Sequence, residues 1–269
     1  MRTTKGKFTC GAQAPRIFSA TLVKKQSGAL FLAKASECVP LKRQITFDQG
    51  ASLIINPFTA VGLLETARQG GHRAAVHTAG ASQLGRMLQA LAAEMNYPLI
   101  QVVRREAQVE LLRSLGAQSQ GTSYVLNSSR ETFPDELKAM CDRLGATVAF
   151  DAVAGAMTGT IMNAMPPRSM VYVYGALSEE PCGNIDPVQL IFHNKEIKGF
   201  YLGTWMRRRG TWGILRAAGR VQRMLIDGRI AGVVERRVRL DEAKEGLRNY
   251  VENMTTGKVL ITPHGRAGG

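Results

Sequence analysis

The clearest chemistry in this 269-residue chain lies in Val76-His-Thr-Ala-Gly80-Ala-Ser82-Gln-Leu-Gly85-Arg-Met87. An apolar run ends, a turn of small residues follows, and a helix begins with Leu84, Met87, Leu88 and Leu91 on one face. The first N–H groups of such a helix have no intrahelical acceptor and sit at the positive end of its dipole, which suits a pyrophosphate. The spacing is G-x-S-x-x-G, with Gly80 first, Ser82 in the middle and Gly85 third. A serine β-carbon holds the backbone farther from a phosphate than glycine would, although its hydroxyl can donate to a phosphate oxygen. A small-residue turn that only packs a helix on a strand accounts for the same spacing, so the surroundings decide.

A dinucleotide-binding fold places its ribose-reading residue at the end of the second strand, about 20 residues after the turn. An acid there would hold the 2′-hydroxyl of NAD(H). This chain has Val103-Arg104-Arg105 instead, so a 2′-phosphate would meet two planar guanidinium forks. The pair favours NADP(H) over NAD(H); two solvated arginines are the plain alternative.

These residues need a regular frame, and from residue 51 the pattern supplies one. Helices are expected over Asn56–Gln69, Ser82–Met95, Glu106–Leu115 (stopped by Gly116), Phe133–Leu144, Met157–Met165, Trp212–Ile226 and Asp241–Met254. Strands are expected at Arg73–His77, Leu99–Val103, Tyr124–Leu126, Thr147–Asp151, Met170–Tyr174, Ile197–Tyr201 and, last, Lys258–Thr262. Such alternation predicts an α/β fold, a doubly wound parallel sheet of six strands with helices on both faces. Before residue 51, Gly28–Ala33 reads as a lone strand in a segment too short to build its own core. The expected divisions are residues 1–50 as a leader or the remnant of another domain, 51–240 as the nucleotide-binding domain, and 241–269 as a closing helix, strand and tail.

Composition narrows the class. The chain is 45% hydrophobic with 28 glycines, as a globular α/β protein should be, and no run of 18 apolar residues suggests a membrane span. Its four cysteines and four histidines are scattered, so no metal site is expected, nor a disulfide framework. A reduced compartment is implied. The net charge of +14 is uneven: residues 1–36 carry +7, residues 195–239 carry +9, and the rest carries −2. Basic segments of this kind suit a polyanion or a solvated face. The sparse aromatics of the basic helix, Trp205 and Trp212 apart, count against nucleic acid. The first segment shares its Ser/Thr content and lack of acids with a mitochondrial transit peptide, so a cytoplasmic setting is expected with a mitochondrial one as the alternative.

With these residues in hand, the chain resembles the zinc-free quinone reductase and 2-enoyl thioester reductase branch of the medium-chain dehydrogenase/reductases. The resemblance rests on Ile55-Asn-Pro-Phe-Thr-Ala60, His77 to Gly85, Leu111 to Ala117 and Phe150-Asp-Ala-Val-Ala-Gly155, where Ala154 replaces a glycine. It rests also on Tyr174-Gly175, Lys198-Gly-Phe200 and Thr256-Gly-Lys-Val259. It implies a Rossmann domain preceded by a GroES-like β-barrel, of which Gly28–Leu41 resembles only the last strand. The expectation is therefore a chain lacking most of that domain, with weak turnover in consequence.

The resemblance also implies residue roles. Asn56 and Thr59 would lie near the nicotinamide, and Gly80, Ser82, Gln83 and Gly85 at the pyrophosphate. Arg104 and Arg105 would hold the 2′-phosphate. Val153, Gly175, Ala176 and, less firmly, Phe200 would line the ribose and nicotinamide. Catalytic side chains are left unassigned. The implied activity is NADP(H)-dependent hydride transfer to a quinone or 2-enoyl thioester, with a homodimer an open state. The rival is a catalytically silent nucleotide-binding module whose basic segments contact RNA or another polyanion.

Overall fold

Strands that are apolar on both faces must be covered on both, and the chain meets this demand with a parallel sheet between helices. The computed structural model describes residues 17–19, 38–116, 123–230, 234–252 and 258–262. Strands β1 (Ile17–Ser19) and β2 (Cys38–Pro40) pair antiparallel, and the short helix α1 (Phe47–Ala51) follows, opened by a reciprocal capping box between Thr46 and Gln49. Helix α2 (Ile55–Gln69) leads into the sheet, whose first half is β3 (Ala74–His77), α3 (Gln83–Glu94), β4 (Leu99–Val103), α4 (Glu106–Gly116) and β5 (Ser123–Asn127). Its second half is α5 (Phe133–Leu144), β6 (Ala146–Asp151), α6 (Ala156–Ala164), β7 (Met170–Val173), α7 (Pro187–Ile191) and β8 (Glu196–Gly199). The long helix α8 (Leu202–Ile226) comes next, and β9 (Val234–Arg239), α9 (Ala243–Glu252) and β10 (Lys258–Thr262) close the described chain.

The six strands lie in the order β5-β4-β3-β6-β7-β8, all parallel. Counted within the sheet this is 3-2-1-4-5-6, the doubly wound dinucleotide-binding order, and it reverses direction between β3 and β6. The α/β class and parallel sheet expected from the sequence are therefore present.

Alternate residues of each strand go to opposite cores, as the period of two requires. Ala75, Leu99, Val148 and Phe150 face one cluster with α2, α3 and α8. Ala74, Val76, Ile100, Val102 and Ala149 face the other, with Phe133, Leu137 and Cys141 of α5 and Ile161 and Met162 of α6. Val39 and Ile45, from the segment before residue 51, are buried in the first cluster. Lys195, almost fully buried, donates to the carbonyls of Met162 (2.7 Å) and Met165 (2.5 Å), a cation placed at the negative end of α6.

Some expectations need correction. The basic helix expected over Trp212–Ile226 is present as the second part of α8; the helical segment before it, from Leu202, was not anticipated and meets it at a kink at Gly210 (φ 64°, ψ 175°). The strand β9 was not anticipated; it runs parallel to β10 and outside the main sheet. Gly116 is the last residue of α4, not the stop beyond it. The sixth strand ends at Gly199, so Phe200 and Tyr201 lie past it. The expected strand at Gly28–Ala33 and the residues Thr256 and Gly257 lie outside the described residues.

Candidate functional site

The β3–α3 turn is built on tight small-residue contacts. Ser82 caps α3, its hydroxyl oxygen accepting the Gly85 N–H at 3.1 Å. Gly80 is tied down by its N–H on the Val102 carbonyl (3.0 Å), and Ala79 takes a left-handed conformation (φ 54°) to make the turn. The N–H groups of Gln83 and Leu84, at the first two helical positions, have no intrahelical acceptor. They share the helix mouth with the Gln83 side chain, which is only 8% exposed. Its Oε1 accepts from Asn56 Nδ2 at 3.1 Å, and its Nε2 has no partner among the described residues.

Asn56 therefore does not cap α2, whose cap position is Ile54; it sits in the first turn and reaches across to Gln83. Thr59 is buried within the same helix. Phe200 donates its backbone N–H to Val173 (2.9 Å), and its ring packs with Trp205 on α2 at Gly62, where a β-carbon would come within 2.8 Å of Phe200 Cζ.

Arg104 and Arg105 stand exposed just beyond β4, and their backbone N–H groups converge on Gln108 Oε1 at 3.2 Å. Neither makes an ion pair among the described residues. The adjacent acid, Glu106, is engaged elsewhere: it accepts from Asn127 Nδ2 (3.0 Å) and pairs with Arg130 (3.0 Å), which hold its carboxyl below the usual range.

On the other side of the reversal, Asp151 ends β6 and is fully buried. Its carboxylate accepts from Thr78 Oγ1 (2.9 Å), the Val153 N–H (2.9 Å), the Ala154 N–H (3.3 Å) and Thr158 Oγ1 (2.7 Å). The following residues, Ala154 (φ 63°) and Gly155 (φ 58°), both turn through the left-handed region. Ala154, where the resembling family carries glycine, therefore bears a β-carbon in a conformation that favours none. Gly175 fits against β6 where a side chain would not, since a β-carbon there would lie 2.7 Å from the Ala152 carbonyl oxygen. Leu177 and Ser178 then donate to the Ala152 and Val153 carbonyls (3.1 and 2.9 Å), so Val153, Gly175 and Ala176 form one stitched wall.

Two features escaped the sequence reading. One is the Asp151 node. The other joins Gln101, His77 and Tyr174, with His77 fully buried and its pKa lowered by burial to about 4. Polar residues inside the strands Ala74-Ala-Val-His77 and Leu99-Ile-Gln-Val-Val103 were the available signal, because a buried polar group must find a partner.

The basic segment proves to be partly internal. Arg209 pairs with Glu65 and lies over the Trp205 ring (5.4 Å), Arg220 and Arg229 pair with Glu94 (3.3 and 3.2 Å), and Arg237 pairs with Asp48. Four of its twelve cations thus tie α8, β9 and the loop between them to other elements. No helix among the described residues is long and apolar enough to cross a membrane. Among the described residues, no three His, Cys, Asp or Glu side chains gather as a metal site would require. Elemental analysis of the purified chain is expected to find no stoichiometric zinc, and a chelator should leave its Tm unchanged; one zinc per chain would overturn this.

Residues 84–216 match the family described as zinc-binding dehydrogenase. The mitochondrial enoyl-[acyl-carrier-protein] reductase of Caenorhabditis elegans is 22% identical over 84% of this chain and 65% of its own length. A solved Mesorhizobium loti protein assigned as an NADPH:quinone reductase is 35% identical, with a TM-score of 0.76 over 86% of this chain and 65% of its own. A mutant form of the enoyl thioester reductase from Candida tropicalis superposes with a TM-score of 0.70 at 17% identity, over 86% of this chain and 68% of its own. The chain thus spans just under two thirds of the first two relatives.

Proposed function

We propose that this chain belongs to the medium-chain dehydrogenase/reductase superfamily, on the side of its zinc-free quinone and enoyl thioester reductases, and that it binds NADP(H) and passes hydride to a quinone or a 2-enoyl thioester. The observation that carries the cofactor reading is the small-residue turn between β3 and α3 at the point where the strand order reverses, with the first N–H groups of α3 at its end. Gly80, Ser82, Gln83 and Gly85 would hold the pyrophosphate, and Arg104 and Arg105 the 2′-phosphate. Asn56 and Thr59 on α2, with Val153, Gly175, Ala176 and Phe200, would border the ribose and nicotinamide. NADPH, when bound, supplies the hydride; the protein's part is to orient the dinucleotide and keep water from it.

The M. loti relative's name supports a quinone acceptor, and the C. elegans relative's name supports an enoyl thioester. A homodimer is part of the proposal, as is a reducing compartment, cytosolic or mitochondrial. The thiols of Cys141 and Cys182, in no disulfide among the described residues, fit such a compartment.

The test is cofactor discrimination. The chain should bind NADPH more tightly than NADH by about 1–3 kcal/mol, the scale of hydrogen bonds to charged groups. Replacing Arg104 and Arg105 together by Ala should remove that gap and leave NADH affinity nearly unchanged, as read by fluorescence titration. Equal affinities in the unaltered chain would rule the assignment out.

A further inference from the structure

On the α2, α3 and α8 side of the sheet, a row of hydrogen bonds runs from the phosphate turn to the end of β7. Gln101 donates from Nε2 to the Gly85 carbonyl at 2.8 Å. Its Oε1 lies 2.7 Å from His77 Nδ1, and His77 Nε2 lies 2.7 Å from the Tyr174 hydroxyl. The directions follow in turn. With its nitrogen on a carbonyl, the Gln101 amide presents oxygen to His77, and oxygen only accepts, so Nδ1 carries the imidazole proton. Nε2 is then an acceptor, and the Tyr174 hydroxyl donates to it. Burial keeps the imidazole neutral, and burial likewise raises the pKa of Tyr174, so both keep these roles across the physiological range.

Neither end of the row is arbitrary. Gly85 lies in the first turn of α3, and Gln101 sits directly beneath Gly80, where a β-carbon would come within 3.0 Å of it. Tyr174 immediately precedes Gly175 and Ala176. Its backbone is tied to β6, by its own N–H on the Asp151 carbonyl (2.9 Å). Its side chain is tied, through His77 and Gln101, to the turn two strands away. Space-filling alone would not require this. Apolar residues would fill the same strands without the desolvation that the buried His77 and Gln101 incur, and a satisfied network selects one arrangement of its members.

We propose that Gln101, His77 and Tyr174 are positioning residues that set the Tyr174–Ala176 wall, and with it the nicotinamide half of the dinucleotide site, against the phosphate turn. The proposal rests on the dinucleotide reading above and adds a coupling between the two halves of that site. Tyr174→Phe removes the terminal link with little change of shape.

The experiment compares NADPH with adenosine 2′,5′-bisphosphate, which offers the phosphates and adenine without the nicotinamide, by calorimetric titration of the full chain. Tyr174→Phe should weaken NADPH about five- to tenfold while bisphosphate affinity stays within about twofold, the ratio expected from one hydrogen bond acting on one half of a ligand. Unchanged affinity for both ligands, or an equal loss for both, overturns the coupling and leaves the cofactor reading standing. A wild-type chain that binds neither ligand refutes the cofactor reading itself, and this proposal with it. Should Tyr174→Phe not fold, ¹⁵N-labelled histidine in the wild-type chain decides. His77 Nε2 should resonate as an unprotonated nitrogen and shift when bisphosphate fills the turn it does not touch. A protonated Nε2, or no shift with bisphosphate bound, overturns the row as drawn.

Discussion

Gly85→Ala is expected to cost about 3 kcal/mol of folding stability, the upper part of the range for forcing atoms into a packed interior. A β-carbon at position 85 would press on the Gly80 carbonyl, 2.6 Å from its carbon, and lie 2.9 Å from the Ala79 oxygen. Both neighbours are backbone, so no rotamer change relieves the contact. The helix would have to lift from the turn, which would break the Ser82 cap and the Gln101 contact with the Gly85 carbonyl. Urea denaturation measures the loss, and NADPH affinity should fall with it if the same turn holds the phosphates as proposed. Gly219→Ala is the matched control. Gly219 lies inside α8, where a β-carbon would meet only Arg223 Nη1 at 3.8 Å. That change should raise stability by about 0.5–1 kcal/mol through helix propensity and a stiffer unfolded chain. If both variants melt together with the parent, the close approach of α3 to its turn is not what the contacts indicate.

The second large effect concerns acid. His77 is buried and neutral, with a pKa lowered to about 4 from the ordinary 6.5. Between those values the unfolded chain takes up a proton that the folded chain refuses, so stability is full above pH 6.5 and falls as the pH drops towards 4. Below 4 both states are protonated and this contribution stops changing. The loss across the window is on the order of 3 kcal/mol. His72, also lowered by burial, acts in the same direction. His77→Gln, which keeps a donor and an acceptor, should flatten the pH dependence between 6.5 and 4. Urea midpoints at half-unit pH steps would show this, and a slope unaltered by His77→Gln would mean that the imidazole does titrate within the fold.

The sheet was legible in the sequence because its information is local. Strands such as Leu99–Val103 are short apolar runs bounded by turns, and helices such as Phe133–Leu144 carry their own period and stop signal, with Gly145 at φ 63° beyond the last turn. The G-x-S-x-x-G turn likewise lies within ten consecutive residues, so the first three of its elements could be placed before any fold was known. Gln83 and Asn56 were named separately, but their hydrogen bond joins residues 27 apart, and no local pattern reports it. The same holds for Thr78 on Asp151, for Tyr174 on His77, and for Arg209 on Glu65, partners separated by 73, 97 and 144 residues. The basic character of residues 195–239 could be counted from the sequence, but its partial neutralisation by Glu65, Glu94 and Asp48 could not. The helical segment from Leu202 to the kink at Gly210 was missed for a different reason: it is short, and its run of arginines gives it little apolar periodicity.

Asp151 has a consequence for how this molecule would meet a ligand. It stands where the strand order reverses, and its four hydrogen bonds join the end of β3, the loop after β6 and the first turn of α6. The Ala152 N–H closes the same knot from the opposite direction, donating to Thr78 Oγ1 at 2.7 Å. The floor of the crevice is therefore a single preorganised body, and its two banks cannot part without exposing a buried carboxylate. Association there would forgo most of the ordering entropy that adaptable binding loops lose. If the proposed dinucleotide binds here, its recognition is a matter of shape fixed during folding, and selectivity falls to the side chains around this junction.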